Sequence, residues 1–528
     1  MEFRGVMKKL QAASADTNMR VQRKQQPRRQ YLSRHVLAIC IAAAALSVTA
    51  LAQSPKDTRP HSNLELKSSD TRLVAAFDWA KQQAMAYVFD NDPVGPWYEA
   101  SLPGRQAFCM RDVSHQALGA QALGLEKYTH NMLRRFAENI SASKDWCSYW
   151  EINRLNRPAP VDYKSDKEFW YNLPANFDVL DTCYRMYLWT GDKTYIDDPA
   201  FLNFYNHTVT DYVERWDLSV DRIMTRKISV QPPPYFRGDP SYEESRRDIE
   251  LGVDLLAAQY AGYRAYASIQ AIRGDKASAE TYFKVAGEVK SLINTAWWNP
   301  SEKYFYSYLD KDQHFHGIAG ADLLYYNATD AGAKTSGALQ TLFENIKKEP
   351  ESAVEPKSHY AEIFYRYNDP EAAYAQIMDL TRPGRERSEY PEVSYSVIGA
   401  IVTGLLGVNI EAPAKQEVVV STLPQLTANT PWAELRNLPV QGNAISVRHD
   451  GLTKTTFTNQ GKSMLLWKAE FAGTFATLMV HGQPMNTHLD SLSPGRVITW
   501  VRVPVPGGQT ISIETSGHSS LSQAQATK

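Results

Sequence analysis

The sequence predicts a mainly α protein: an (α/α)6 toroid of six helical hairpins over residues 71–410, followed by a small antiparallel β-sandwich over residues 415–518. Three observations carry this reading. Helical text runs from Thr71 to about Val408 in segments separated by turn-rich loops. Segments that are apolar or small on every face alternate with segments that carry one apolar stripe, and a helix apolar all round is buried all round. After the linker Glu411-Ala-Pro-Ala414, the text changes to short β-branched runs broken at Gly, Asn and Asp, as strands require.

The elements follow in order. Met1–Ala52 opens with a basic stretch (Arg20, Arg23, Lys24, Arg28, Arg29, Arg34), passes into the apolar HVLAICIAAAALSVTA and ends on Ala50-Leu51-Ala52. That is the order of a secretory leader, with Met19 favoured as its start. Cleavage near Ala52 is expected to release a periplasmic or secreted protein beginning near Gln53, with 53–70 as a linker and no membrane attachment. The leader holds +7 of charge, so the −1 of the whole chain becomes −8 after cleavage. An acidic chain gives no reason to expect a nucleic-acid partner.

Twelve helices are expected, starting near Arg72, Asp112, Lys127, Ala175, Ala200, Asp248, Lys276, Ala319, Gly332, Ser358, Pro370 and Val393. The second (VSHQALGAQALGL), sixth (DIELGVDLLAAQYAGYRAYASI) and last (VSYSVIGAIVTGLLGV) are apolar or small nearly all round. ASAETYFKVAGEVKSLINTAW and TDYVERWDL show one stripe and one charged face. Odd helices outside and even helices inside describe a toroid. No fixed-period repeat of the kind solenoids carry is present. The strands then read KQEVVVSTL, AISVRHDG, TKTTFTNQG, MLLWKAEFAG, FATLMVHGQ, ITWVRVPV and TISIETS, with SSLSQAQATK as a frayed tail.

Composition narrows the function classes. Four Cys among 528 residues exclude a disulfide-built miniprotein, and no CxxC zinc ribbon is present. Cys40 leaves with the leader, and Cys109, Cys147 and Cys183 allow one disulfide and one free thiol. No GxSxG, P-loop or strand-following GxGxxG occurs, which argues against acyl transfer, nucleotide hydrolysis and hydride transfer. No HxxxH or HExxH occurs, so neither a metal nor an organic cofactor is expected. The load of 12 Trp, 29 Tyr and 18 Phe suits a sugar-stacking cleft as well as a large core.

Chemistry is expected where inner helices begin, because helix N-termini favour carboxylates and polar ligands. Three entrances are loaded with acids and arginines: Leu102–Asp112, Tyr235–Glu250 and Arg382–Glu392. Arg111-Asp112 offers a fork donor beside an acceptor, suited to gripping sugar hydroxyls or simply to capping its helix. Glu250 and Asp254 stand four apart and are expected on one helix face, where burial would keep a carboxyl protonated as a general acid. Glu389 and Glu392 enter the last inner helix, and either can be a base or a helix-entry acid. His115 reads equally as a core histidine or a site residue. Trp97, Trp170 and Tyr171, at the second and fourth helix entrances, can stack on sugar faces or pack in the core.

At these residues the chain resembles the six-hairpin glycosidases, over about residues 70–410. PGRQAFCMRDVSHQ resembles the segment of trehalases that leads into their first substrate-binding loop. Glu250-Leu-Gly-Val-Asp254 is similar to the E-x-G-x-D element of trehalases and processing α-glucosidases, whose aspartate is the general acid. Gly384 through Glu389-Tyr390-Pro391 is similar to the trehalase G-E-Y-P stretch, and Arg111-Asp112 resembles the sugar-holding pair of glucoamylases. The strand-rich tail is similar to those of rhamnosidase-like and phosphorylase-like members. Phe108-Cys109-Met110 stands where trehalases are rich in Trp and Asp, and Arg385-Glu386-Arg387-Ser388 replaces their glycine run. Glu386, Glu389 and Glu392 therefore compete as base, and Glu243 and Glu244, an acid pair before the sixth helix, compete with Asp254 as acid.

The resemblance implies a secreted glycoside hydrolase acting on an oligosaccharide or glycoside by inversion. Asp254 is then expected as acid and Glu389 as base, with Arg111, Asp112, Glu250, Arg105 and His115 around the sugar. The alternatives are a lyase of uronic-acid glycans, using His115, His359 or Tyr390 with loop arginines (Arg105, Arg237, Arg246, Arg385, Arg387), and a non-catalytic sugar-binding protein.

Overall fold

Among the described residues the first part of the chain holds fifteen helices, twelve of which match the twelve expected starts within five residues. The twelve are α1 (Thr71–Ala86), α2 (Met110–Ala122), α3 (Glu126–Glu138), α4 (Ala175–Thr190), α5 (Pro199–Val209), α6 (Val253–Arg273), α7 (Lys276–Ala296), α8 (Asp322–Tyr325), α9 (Ala333–Lys348), α10 (Tyr360–Arg366), α11 (Pro370–Leu380) and α12 (Pro391–Ala400). Short helical turns such as Thr194–Asp197, Asp211–Arg215 and Val354–Lys357 lie in the connections. The structure is a computed structural model and describes residues 60–228, 236–244, 248–412, 417–492 and 496–517. The expected leader and its cleavage site at Ala52, Arg246, and Lys415 at the start of the strand-rich segment lie outside these residues.

The even helices form a closed ring. α2 packs on α4, α4 on α6, α6 on α8, α8 on α10 and α10 on α12, which returns to α2. Burial follows the composition of each helix. Sixteen of the twenty-one residues of α6 are buried, whereas its outer partner α7 buries Ala279, Ala286, Val289, Ile293 and Asn294, one stripe at helical spacing. Small residues set the closeness of the ring. A Cβ on Gly119 of α2 would lie 2.1 Å from the Tyr395 carbonyl oxygen of α12. Two inner helices are short, α8 with a single turn and α10 with seven residues.

Two facing sheets follow. One has seven strands in the order Glu65–Ser68, Trp432–Val440, Asn443–Asp450, Lys454–Asn459, Thr510–Thr515, Thr477–Val480, Gln483–Asn486. The other has five: Asn409–Glu411, Val419–Thr422, Leu465–Ala472, Arg496–Val505, His488–Leu492. Phe457 of the first sheet stacks on Trp467 of the second at 5.2 Å, so the core of the sandwich lies between them. All seven-sheet pairings are antiparallel; in the second sheet, Val419–Thr422 runs parallel to Leu465–Ala472.

The sheets recruit chain from outside the expected 415–518. Glu65–Ser68, expected as linker, pairs with Trp432–Val440, and Leu66 is buried opposite Leu435. The sandwich meets the helices at the far ends of the ring. The Gln441 N–H donates to the Trp189 carbonyl at 2.8 Å, and His449 Nε2 lies 3.0 Å from the Leu406 carbonyl oxygen. Cys109, Cys147 and Cys183 are all buried and free, so none forms the disulfide that the sequence allowed. Among the described residues, no helix is long and apolar enough to cross a membrane.

Candidate active site

Each of the six inner helices carries an acid in its first turn: Asp112, Asp178, Asp254, Asp322, Glu362 and Glu392. The partial positive charge and unpaired N–H groups of a helix start reduce the cost of burying a carboxylate there. Short paired strands fix three of these entrances: Ala107–Cys109 pairs with Glu151–Asn153, Tyr171–Asn172 with Arg237–Asp239, and Ile249–Gly252 with Tyr308–Asp310. Glu362 turns to Arg366, at 2.6 Å. Asp112, Asp322 and Glu392 lie in the field of Arg111, and Asp178 and Asp254 both bond Tyr242, whose ring lies under that guanidinium.

Arg111 is the half-buried cation of the cluster. Its Nε lies 3.4 Å from Asp112 Oδ1 and its Nη1 3.3 Å from Glu244 Oε1, while its guanidinium lies over the rings of Tyr242 and Trp150 at 5.2 and 5.8 Å. Burial lifts Asp112 to about 7, with Glu392 adding to the rise and Arg111 opposing it. Burial likewise holds Glu392 at about 7 against the pull of Arg111. Glu392 Oε1 lies 3.5 Å from His115 Nδ1, 3.6 Å from His359 Nε2 and 3.4 Å from the Ser358 hydroxyl. Burial drives His115 down to about 3 and His359 well below its ordinary value, so both rings are neutral. Asp178 accepts from the hydroxyls of Tyr242 and Tyr326, yet burial still raises it to about 7. Carboxyls poised near neutrality can give and take protons in the working range of most enzymes.

Asp254 lies buried in the first turn of α6, as expected, and its carboxylate is taken up by neighbouring donors. Its Oδ2 accepts from the Tyr242 N–H at 2.6 Å and from the Ser241 hydroxyl at 3.0 Å, and its Oδ1 accepts from the Leu255 N–H at 2.9 Å. Burial and the nearby Asp322 raise it, against these donors. Asp254 thus anchors the segment that carries Tyr242, Glu243 and Glu244. Glu250 does not share a helix face with it. Glu250 stands on the strand Ile249–Gly252, where its carboxylate accepts from the Ile228 N–H at 2.7 Å, and the buried Arg226 donates to its carbonyl. Pairing of Ile249–Gly252 with Tyr308–Asp310 keeps Glu250 extended, and α6 begins only at Val253.

Other expected residues fall outside the cluster. Glu389 is exposed, and its charge acts on Tyr87 at the end of α1; Glu386 is exposed as well. Tyr390 caps α12 and Pro391 occupies its first turn, so Glu392 is the acid inside the helix and Glu389 lies before it. Glu243 is exposed, whereas Glu244 reaches Arg111. Arg105 pairs with Glu151 at 2.6 Å and Asp162 at 2.8 Å. Trp97 is buried, donates to Asp92 and stacks on Phe89, and Tyr171 is buried with its hydroxyl on Asn176, so both belong to the core. Trp170 is half-buried and donates to Asn172 at 2.8 Å.

Sequence reasoning missed Asp178, Tyr242, Tyr326, Asp322 and Trp150. The signal for the two aspartates was present: an acid within four residues of an inner helix start, as at Asp112.

No family model matches the chain, and no curated relative does. Among solved structures it is similar to an α-L-rhamnosidase from Dictyoglumus thermophilum, at 13% identity and a TM-score of 0.58 over 86% of this chain and 51% of that one. It is also similar to a Streptomyces avermitilis α-L-rhamnosidase complexed with L-rhamnose, at 11% identity and 0.50 over 87% of this chain and 42% of that one. A structure described as a sialidase matches at 12% identity and 0.51, over 82% and 41%. The chain thus spans about half or less of the length of these structures, and the likeness establishes the fold.

Proposed function

We propose that this chain, which has the fold of the six-hairpin glycosidases, hydrolyses a terminal glycosidic bond of a neutral glycoside by inversion. The observation that carries the reading is the gathering of first-turn acids from three inner helices, Asp112, Asp322 and Glu392, in the field of Arg111, together with Glu244. Inversion needs one carboxyl to protonate the leaving oxygen and another to take a proton from water across the ring, about 6.5–9.5 Å away. Glu244 suits the acid: it is half-exposed on the segment anchored by Asp254, and its carboxyl is raised by partial burial against the pull of Arg111. Glu392 suits the base, buried at the start of α12. Arg111 and Asp112 then grip the sugar between them.

A neutral sugar is favoured over an acidic one by the arginines. Arg105 pairs with Glu151 and Asp162, Arg237 with Asp145, Arg385 with Glu351, and Arg387 with Glu355. A guanidinium already neutralised by a carboxylate has little left for a uronate, which weighs against the lyase reading. The leader motif supports export, with the mature chain beginning near Gln53. A panel of chromogenic glycosides and oligosaccharides, read by product analysis, tests the activity. Release of a reducing sugar of inverted configuration supports it; a product absorbing in the near ultraviolet through a new double bond establishes a lyase instead, and no product leaves a sugar-binding protein.

A further inference from the structure

We propose that His115, His359 and Glu392 form a binding site for one divalent transition-metal ion of the zinc class. Each offers one ligand atom, and the three atoms lie within 4.8 Å of one another. The separations from Glu392 Oε1, 3.5 Å to His115 Nδ1 and 3.6 Å to His359 Nε2, are longer than hydrogen bonds, which centre near 2.9 Å. They match the edge of a tetrahedral site: two ligands at about 2.0–2.1 Å from zinc stand about 3.4 Å apart.

A second observation points the same way. The His115 side chain is only 9% exposed, yet neither of its ring nitrogens makes a hydrogen bond. A buried polar atom without a partner is costly, and an ion on Nδ1 would remove that cost. The other nitrogen, Nε2, lies 3.9 Å from Asp178 Oδ2, and Asp178 is itself held by the Tyr242 and Tyr326 hydroxyls. That separation is beyond a hydrogen bond in this structure, but it puts a carboxylate on the side of the ring where a metal-bound imidazole usually finds its outer support. The rings of His115 and His359 meet at 85° with centroids 4.4 Å apart, so they do not stack face to face and their edges can turn to a common centre. Two imidazoles and one carboxylate leave a fourth position for water or substrate. The ligands come from α2, the entrance to α10, and α12, which is why no spacing motif announces them.

The inference does not depend on the glycosidase reading, and since Glu392 belongs to both, the ion must be read directly. Full-length protein stripped with a chelator is titrated with Co2+ alone, following its visible absorption, and with Zn2+ alone by calorimetry, in the absence of any glycoside. One equivalent of each should bind, with the intense visible bands of a four- or five-coordinate Co2+ site. His115→Ala and His359→Ala should each weaken binding by at least about 100-fold, since even outer-shell changes cost 10–100-fold. His130→Ala, on the outer helix α3, should bind like the parent. Should either histidine variant misfold, the isosteric Glu392→Gln and the unmodified protein still decide. Absence of one-equivalent binding to the unmodified protein overturns the proposal, as does unchanged affinity in Glu392→Gln or in a folded histidine variant. One-equivalent ion binding by an unmodified protein that hydrolyses no glycoside would fault the hydrolase reading alone.

Discussion

The Asp254 carboxylate accepts a 2.6 Å hydrogen bond from the backbone N–H of Tyr242, which fixes the start of α6 to the segment that carries Glu244. That contact separates two roles the sequence left together. Glu244→Gln should lower kcat by roughly 100-fold or more on glycosides with poor leaving groups, because general acid catalysis contributes about that much. An activated aryl glycoside, whose leaving oxygen needs no proton, should restore most of the loss. Asp254→Asn should lower kcat on both substrates alike, since it displaces the segment rather than removing a proton. Selective recovery of Asp254→Asn on the activated substrate would return the acid role to Asp254.

Glu392 and Glu389 stand three residues apart, yet only Glu392 is buried against His115 and His359. Glu392→Gln should cost at least about 100-fold in kcat. Added azide, a nucleophile that needs no deprotonation, should give a glycosyl azide of inverted configuration. Glu389→Gln should remain close to the parent. A severe loss in Glu389→Gln with an active Glu392→Gln would reverse the assignment.

The same burial makes stability depend on pH in a definite direction. Glu392 has a folded value of about 7 against an ordinary 4.5, so the native state binds an extra proton between them. Its contribution to stability is therefore fullest below about pH 4.5 and is lost as pH rises through 7. Glu392→Gln carries no titrating proton. The difference in Tm, variant minus parent, should grow from pH 4.5 to pH 7.5 in chelator-stripped protein, as calorimetric scans can measure. A difference that stays flat or shrinks contradicts a raised Glu392.

The ring of helices was legible because burial leaves a compositional mark: a helix such as α6 has no face it can afford to make polar, while α7 has one. The site was legible only to the level of which entrances matter. Spacing alone put Glu250 on a helix, because the text DIELGVDLLAA gives no sign that Ile249–Gly252 pairs with Tyr308–Asp310, sixty residues away. Glu389 and Glu392 read alike in the sequence, and only the helix start at Pro391 puts Glu392 inside α12 and Glu389 before it. Asp178, whose two tyrosine partners come from distant segments, and His359, 244 residues from His115, meet their neighbours only in three dimensions. Long-range assembly of this kind carries no local pattern.

A close approach in the ring gives a test of the fold itself. Gly119 of α2 faces α12 with no room for a methyl: the added Cβ would lie 2.1 Å from the Tyr395 carbonyl oxygen and 2.7 Å from its carbon, both backbone atoms that cannot rotate away. Gly119→Ala should therefore force the first and last inner helices apart and cost about 1–3 kcal/mol or more. Gly287 on α7 is the control. It is exposed in the middle of a helix, and a Cβ there would meet nothing within 4 Å. Gly287→Ala should stabilise by about 0.4–1 kcal/mol, because alanine has less chain entropy to lose on folding and favours the helix. Denaturant unfolding of the two variants beside the parent reads both signs at once. If Gly119→Ala proved as benign as Gly287→Ala, α2 and α12 could not be in contact, the ring would be open between its first and last hairpins, and Asp112 and Glu392 could not belong to one site.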